Sequence, residues 1–139
     1  MSSTLGEVLK KTWLTLESAV ATFRARIVNI DNYDWGIVDI NWKQPIEPQS
    51  LKEYVEFVAK TVVAFVLPHT TRLIISSRAP IWFYCAFTHS LAHELDVLAT
   101  YDPKVQGAVV VVSHVRDYAV GNVVELPPEL LAEITQVKV

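Results

Sequence analysis

Between Arg72 and Tyr101, two apolar runs of strand length, Arg72 to Ile75 and Val97 to Tyr101, bracket an apolar helical segment opened by Pro80 and running to about His93. Strand, helix and strand of these lengths spell a βαβ unit, whose loops at the carboxyl ends of the strands are where α/β sheets usually hold ligands. The first run does not alternate, as befits a strand covered by helices on both faces, and so predicts a mainly parallel, layered sheet. A β-branched run from Ala108 closes at Ser113-His114, which brings His114 near the same rim if this strand pairs with its neighbour.

The remaining chain fits around that unit. Leu5, Val8, Leu9, Trp13, Leu16 and Val20 recur at helical spacing, with Thr4 as N-cap and Glu7 three residues on, so a helix is expected from Thr4 to Val20 with its charges in solvent. Phe23 to Ile30 and Trp35 to Trp42 alternate around an Asn/Asp cluster, which reads as an antiparallel hairpin with one face buried. Asp31, Asp34 and Asp39 are then turn and strand-face residues. Pro45 and Pro48 stiffen a connector, after which Ser50 caps a helix from Leu51 to Val66. A single domain over 1–139 is expected, with a helical extension (1–22), a core (23–126) and a tail (127–139).

The 139 residues are 51% hydrophobic and 19% charged, enough apolar material for one core. A net charge of −3 gives no general attraction to long nucleic acid, so an anionic ligand needs a local cluster of cations. Cys85 is the single cysteine, which excludes a disulfide framework and suits a reducing compartment. No apolar stretch approaches the roughly 20 residues of a membrane helix. A soluble cytoplasmic protein without a membrane partner is expected.

The candidate cluster is local. Ser76, Ser77, Arg78, Ala79 and Pro80 form the first strand-to-helix turn, where two hydroxyls, a guanidinium and free helix amides can hold a phosphate. Plain capping by Ser76 or Ser77, with Arg78 in solvent, suits the same residues. Within the helix, Ile81, Trp82, Cys85, Ala86, Leu91 and Ala92 are expected in the core, with Trp82 or Tyr84 as alternatives for stacking on a base. His89 and His93 lie one turn apart, a spacing that can bind a metal or divide acid and base roles. Asp102 and Lys104 emerge at the end of the second strand, on the rim of Arg78. Each is ordinary alone, but together with His114 they describe imidazoles, a carboxylate and cations near one crevice.

SSRAPIWF, VLATYDPKVQGAVVVVSH and RDYAVGNVVEL, with PIEPQSL ahead of them, resemble the small ring nucleases of type III CRISPR systems, the third-named family of such enzymes. The resemblance implies a minimal CARF (CRISPR-associated Rossmann) fold, an α/β layered sheet with flanking helices and an N-terminal hairpin. It implies a homodimer, two of which sandwich cyclic tetra-adenylate in a tetramer or longer assembly, and manganese-dependent cleavage. The family pattern maps onto Arg78, His93 with His89 as the alternative, Asp102 with Lys104, and His114. Ala79 stands where a glycine is usual and Lys104 where an arginine is usual, which keeps the charge and loses the bidentate fork. The implied activity is opening of the ring to linear products, switching off antiviral signalling. A non-cleaving sensor of the ring and a manganese-dependent RNA deadenylating exonuclease are the alternatives. Apolar residues such as Trp13 and Trp35 belong either to the core or to a dimer seam.

Overall fold

This computed structural model describes residues 2–138, with side-chain surroundings for 5–134. The order is α1 (Ser2–Lys11), β1 (Leu14–Glu17), β2 (Ala21–Ile30), β3 (Tyr33–Trp42), α2 (Leu51–Phe65), β4 (Arg72–Ser77), α3 (Ile81–Leu91), β5 (Val97–Asp102), β6 (Gly107–Ser113), β7 (Val123–Glu125) and α4 (Pro128–Lys138). The strands form one sheet in sequence order. Only β3–β4 and β4–β5 pair in parallel, and the flanking pairs are antiparallel. The expected mainly parallel sheet is corrected on this point. A parallel pair needs a long crossover, which α2 and α3 supply, whereas the two-residue β2–β3 turn and the 103–106 turn can only reverse the chain.

The hairpin forms as expected. Asp31 (φ 53°) and Asn32 (φ 72°) take the left-handed conformation that a two-residue turn demands, and these side chains tolerate it. Phe23, Val38, Ile40, Leu73, Ile75 and Leu98 meet α2 and α3 on one face, through Val55, Val58, Val62, Phe83, Phe87 and Leu91. Ile37, Ile74, Val97, Ala99 and Val110 meet Leu130 and Ile134 of α4 on the other. Strand β4 is therefore covered on both sides, which explains its unbroken apolar run.

Both ends of the chain depart from expectation. Helix α1 begins at Ser2, so Thr4 lies within it rather than capping it, and it stops at Lys11. Leu14 to Glu17 is instead an edge strand whose half-buried and exposed residues alternate. Leu16 and Val20 fit a helical period as well as an extended one, and pairing with β2 decides the matter. Pro128 to Lys138 is not a tail but α4, whose Leu130 and Ile134 are buried in the core on one face of the sheet. Ser50 makes no side-chain cap to α2.

Trp35 is fully buried. Trp13 lies under the Arg24 guanidinium, 4.1 Å away, and its Nε1 donates to Glu133 of α4 at 2.6 Å. Trp35 therefore belongs to the core, and Trp13 is engaged within the chain on the half-buried edge of the sheet. Beside them Arg24 pairs with the fully buried Asp39 at 3.1 Å. Such a pair loses hydration on both partners, so removing one alone leaves a costly buried charge.

Candidate functional site

Strands β3, β4 and β5 run parallel, so their carboxyl ends share one rim. Asp39 is level with Ser76, and Ile40 with Ser77. Carrying the Ile75–Thr100 register two residues further sets Ser77 level with Asp102 on the neighbouring strand. The two expected turns, 76–80 and 102–104, therefore meet. Their residues play different parts. Ser76 is fully buried and its Oγ has no hydrogen-bond partner among the described residues, so it neither caps α3 nor reaches the surface. Ser77 Oγ accepts from Trp42 Nε1 at 2.6 Å, and its carbonyl accepts a short hydrogen bond from the Tyr84 hydroxyl. Pro80 occupies the N-cap of α3 without any side-chain cap, which leaves the first amides of the helix to other acceptors. Arg78 and Lys104 are exposed, and Ala79 is half-buried between the loop and the core.

Asp102 organises its own turn: its Oδ1 accepts from the Lys104 amide at 2.9 Å, and its carbonyl from Val105. Beside it opens a groove of about 680 Å³ lined chiefly by Ile81, Tyr84, Cys85, Thr100, Tyr101 and Val111. The groove exists because α3 buries Phe83, Phe87 and Leu91, a face offset from the one expected. Ile81 is 79% exposed, and Cys85 is exposed as well. Trp82 is half-buried against the core, and Tyr84 lines the groove.

Burial raises the Tyr84 phenol from the usual 10.0 to about 12, despite its hydrogen bonds to Ser77, which act in the opposite direction. It is therefore a neutral donor throughout the physiological range. Tyr84→Phe is expected to remove an ionisation step near 12 from the alkaline ultraviolet titration. A wild-type protein whose tyrosines all ionise near 10 contradicts that assignment.

The histidines stand elsewhere. Helix α3 runs back from the rim for about 16 Å at 1.5 Å per residue, so His89, in its last turn, is at the opposite end of the sheet. The helix ends at Leu91, and His93 lies in the turn that follows rather than on a shared helical face. Both are exposed. His114 does follow a strand paired with β5, but the pairing is antiparallel: Asp102 faces Gly107 and Val97 faces Ser113. His114, one residue beyond Ser113 and level with Asp96, is therefore roughly 20 Å from Asp102 at 3.3 Å per residue. The expected single crevice is corrected to two rims, one carrying Ser77, Arg78, Asp102 and Lys104, the other His89, His93 and His114.

On the histidine rim, His114 is the most defined group. Its amide donates to Asp96, and its Nδ1 lies 2.9 Å from the Leu95 carbonyl. A carbonyl can only accept, so Nδ1 carries the proton and Nε2 is the basic nitrogen. Nearby, Arg72 lies over the Tyr33 ring at 3.8 Å and donates to Asp117 at 3.1 Å. Desolvation alone would raise the Asp117 carboxyl, but its bond to Arg72 brings it below the usual range.

Manganese takes several convergent oxygen or nitrogen ligands. Among the described residues no group of three or more His, Cys, Asp or Glu side chains converges closely enough to hold an ion. Asp102 and the histidines are a sheet's length apart. The described residues of one chain do not fit a manganese centre.

Residues 40–125 match the family model described as CRISPR-associated protein (Cas_csx3). The chain belongs to the Cas_csx3 family. The matched span begins at the end of β3 and stops at the end of β7, so it contains both rims and omits α1, β1, β2 and α4. A protein of Aquifex aeolicus (strain VF5), called an uncharacterized protein, is 30% identical over 95 residues, covering 68% of this chain and 80% of that one. Two residues bind the rim together on Ser77: Trp42, which was not among the expected site residues, and Tyr84, expected only as an alternative for stacking on a base. Trp42 is the last residue of the hairpin, and its nearness to Ser77 depends on the parallel register of β3 and β4.

Proposed function

We propose that this Cas_csx3 protein binds cyclic tetra-adenylate on the rim of Ser77, Arg78, Asp102 and Lys104 and opens it to linear product, ending a type III antiviral signal. The observation that carries the reading is the pair of exposed cations, Arg78 and Lys104, on the two loops whose neighbouring residues Ile81, Asp102 and Pro103 line the apolar groove of about 680 Å³, in a chain of net charge −3. That volume falls within the roughly 300–1,000 Å³ of small-molecule sites. Tyr84, Tyr101, Ile81 and Val111 offer a base its apolar surroundings while the two cations meet the neighbouring phosphates. In the reaction, a ribose 2′-oxygen attacks the adjacent phosphorus, its proton passes to a base, and the 5′-oxygen leaves as it takes a proton. The product is a linear chain ending in a 2′,3′-cyclic phosphate. His114 Nε2 suits the proton transfers and Arg78 and Lys104 the developing phosphoryl charge.

Because His114 and Asp102 stand on opposite rims, one ring can reach both only if two copies of the chain contribute. That points to an assembly in which the cation rim of one copy meets the histidine rim of another. The same separation favours a second reading, a sensor that binds the ring on the cation rim without cutting it. Incubation with labelled cyclic tetra-adenylate, with and without manganese, tests both. Linear product is expected; binding with no product under either condition leaves the sensor, and absence of binding defeats both readings. Arg78→Ala is expected to weaken binding roughly tenfold, the magnitude of a lost charge-assisted contact.

A further inference from the structure

We infer that Trp42 and Tyr84 are positioning residues that hold Ser77 as a one-way hydrogen-bond donor to an anionic oxygen at the β4–α3 loop. This deepens the ring-binding reading and rests on it for the identity of the anion. The indole of Trp42 has an N–H and no acceptor, so at 2.6 Å Ser77 Oγ is the accepting partner. A hydroxyl has one hydrogen, and accepting from Trp42 leaves that hydrogen for a different acceptor. Tyr84, neutral throughout the physiological range, donates to the carbonyl of the same residue. Two elements thus grip one residue, β3 by its side chain and α3 by its backbone.

The grip is itself braced. The Trp42 ring meets Tyr54 edge-on at 5.6 Å and Phe83 at 5.3 Å, and Phe83 is fully buried. A donor fixed before the ligand arrives costs little ordering when it binds. Beside Ser77 stand further donors, the exposed Arg78 guanidinium and the Ile81 and Trp82 amides that begin α3 without a cap. Neutral and charged donors set together in this way favour an oxyanion such as a phosphodiester over bulk negative charge.

A double-mutant cycle on the full chain separates positioning from packing, with cyclic tetra-adenylate and inorganic pyrophosphate as probes. Ser77→Ala should weaken binding roughly tenfold, as expected of a hydrogen bond to a charged group, and Ser77→Thr, which keeps the hydroxyl, should restore most of it. Trp42→Phe should weaken binding several-fold with Ser77 present and have no further effect combined with Ser77→Ala, because its bond ends on the deleted oxygen. An equal loss from Trp42→Phe in both backgrounds would show that the indole only packs, and the inference falls. It also falls if Ser77→Ala leaves both affinities unchanged, whether or not Trp42→Phe folds, or if the wild-type chain binds neither probe. Coupling seen with pyrophosphate alone would sustain the inference and sink the ring-binding reading.

Discussion

Phe83→Ala is expected to lower the melting temperature by about 10–20 °C. Phe83 is fully buried between α3 and the sheet, with Trp42 at 5.3 Å, Tyr84 at 6.0 Å and Phe87 stacked at 6.0 Å. Truncating a buried phenylalanine costs about 3–5 kcal/mol, the lost transfer energy plus the cavity left behind. For a chain of this size each kilocalorie corresponds to about 4 °C. Such a loss is a large share of the roughly 5–15 kcal/mol that holds a domain together. Because Phe83 also braces Trp42, whatever folded protein remains should bind cyclic tetra-adenylate more weakly. Calorimetry decides the first point; a shift below about 4 °C would mean that the cavity collapses and that the aromatic cluster is adaptable.

Much of this architecture was legible where local chemistry leaves few choices. Asp31-Asn32 announced the hairpin, and counting outward from that turn pairs Arg24 with Asp39, a buried ion pair the alternation alone had hidden. The β4–α3–β5 unit followed from its lengths. The position of His114 was also accessible: four residues between Asp102 and Gly107 are too few for a crossover, so β6 must return antiparallel and carry His114 to the far rim. Helix α4 had its signals in Pro128 and Glu129 ahead of Leu130 and Ile134. Other features had none. No glycine or proline marks the end of α3 before His93, and the offset of its buried face arises because the helix is apolar nearly all round, so that packing rather than periodicity selects Phe83, Phe87 and Leu91. The bond from Trp42 to Ser77 joins residues 35 positions apart and exists only through the parallel register of β3 and β4.

Mixing two crippled variants should restore what neither has. His114→Gln removes the nitrogen assigned to proton transfer and Asp102→Ala removes the carboxylate of the cation rim; each is expected to slow ring opening on the order of 100-fold, the lower range for an acid–base group. If a ring is served by the cation rim of one copy and the histidine rim of another, a mixture contains contacts in which both contributing rims are intact. Random pairing in a heterologous, head-to-tail contact makes these about a quarter of the total, so an equimolar mixture should recover about a quarter of the wild-type rate. The same geometry makes the rate rise more than linearly with protein concentration in the dilute range. The roughly 20 Å between Asp102 and His114 along β5 and β6 is what forces this outcome, since it exceeds hydrogen-bond reach several times over. A mixture no faster than the average of its parts, at concentrations where light scattering shows assembly, would mean that two copies do not share one site and would overturn the shared-rim reading.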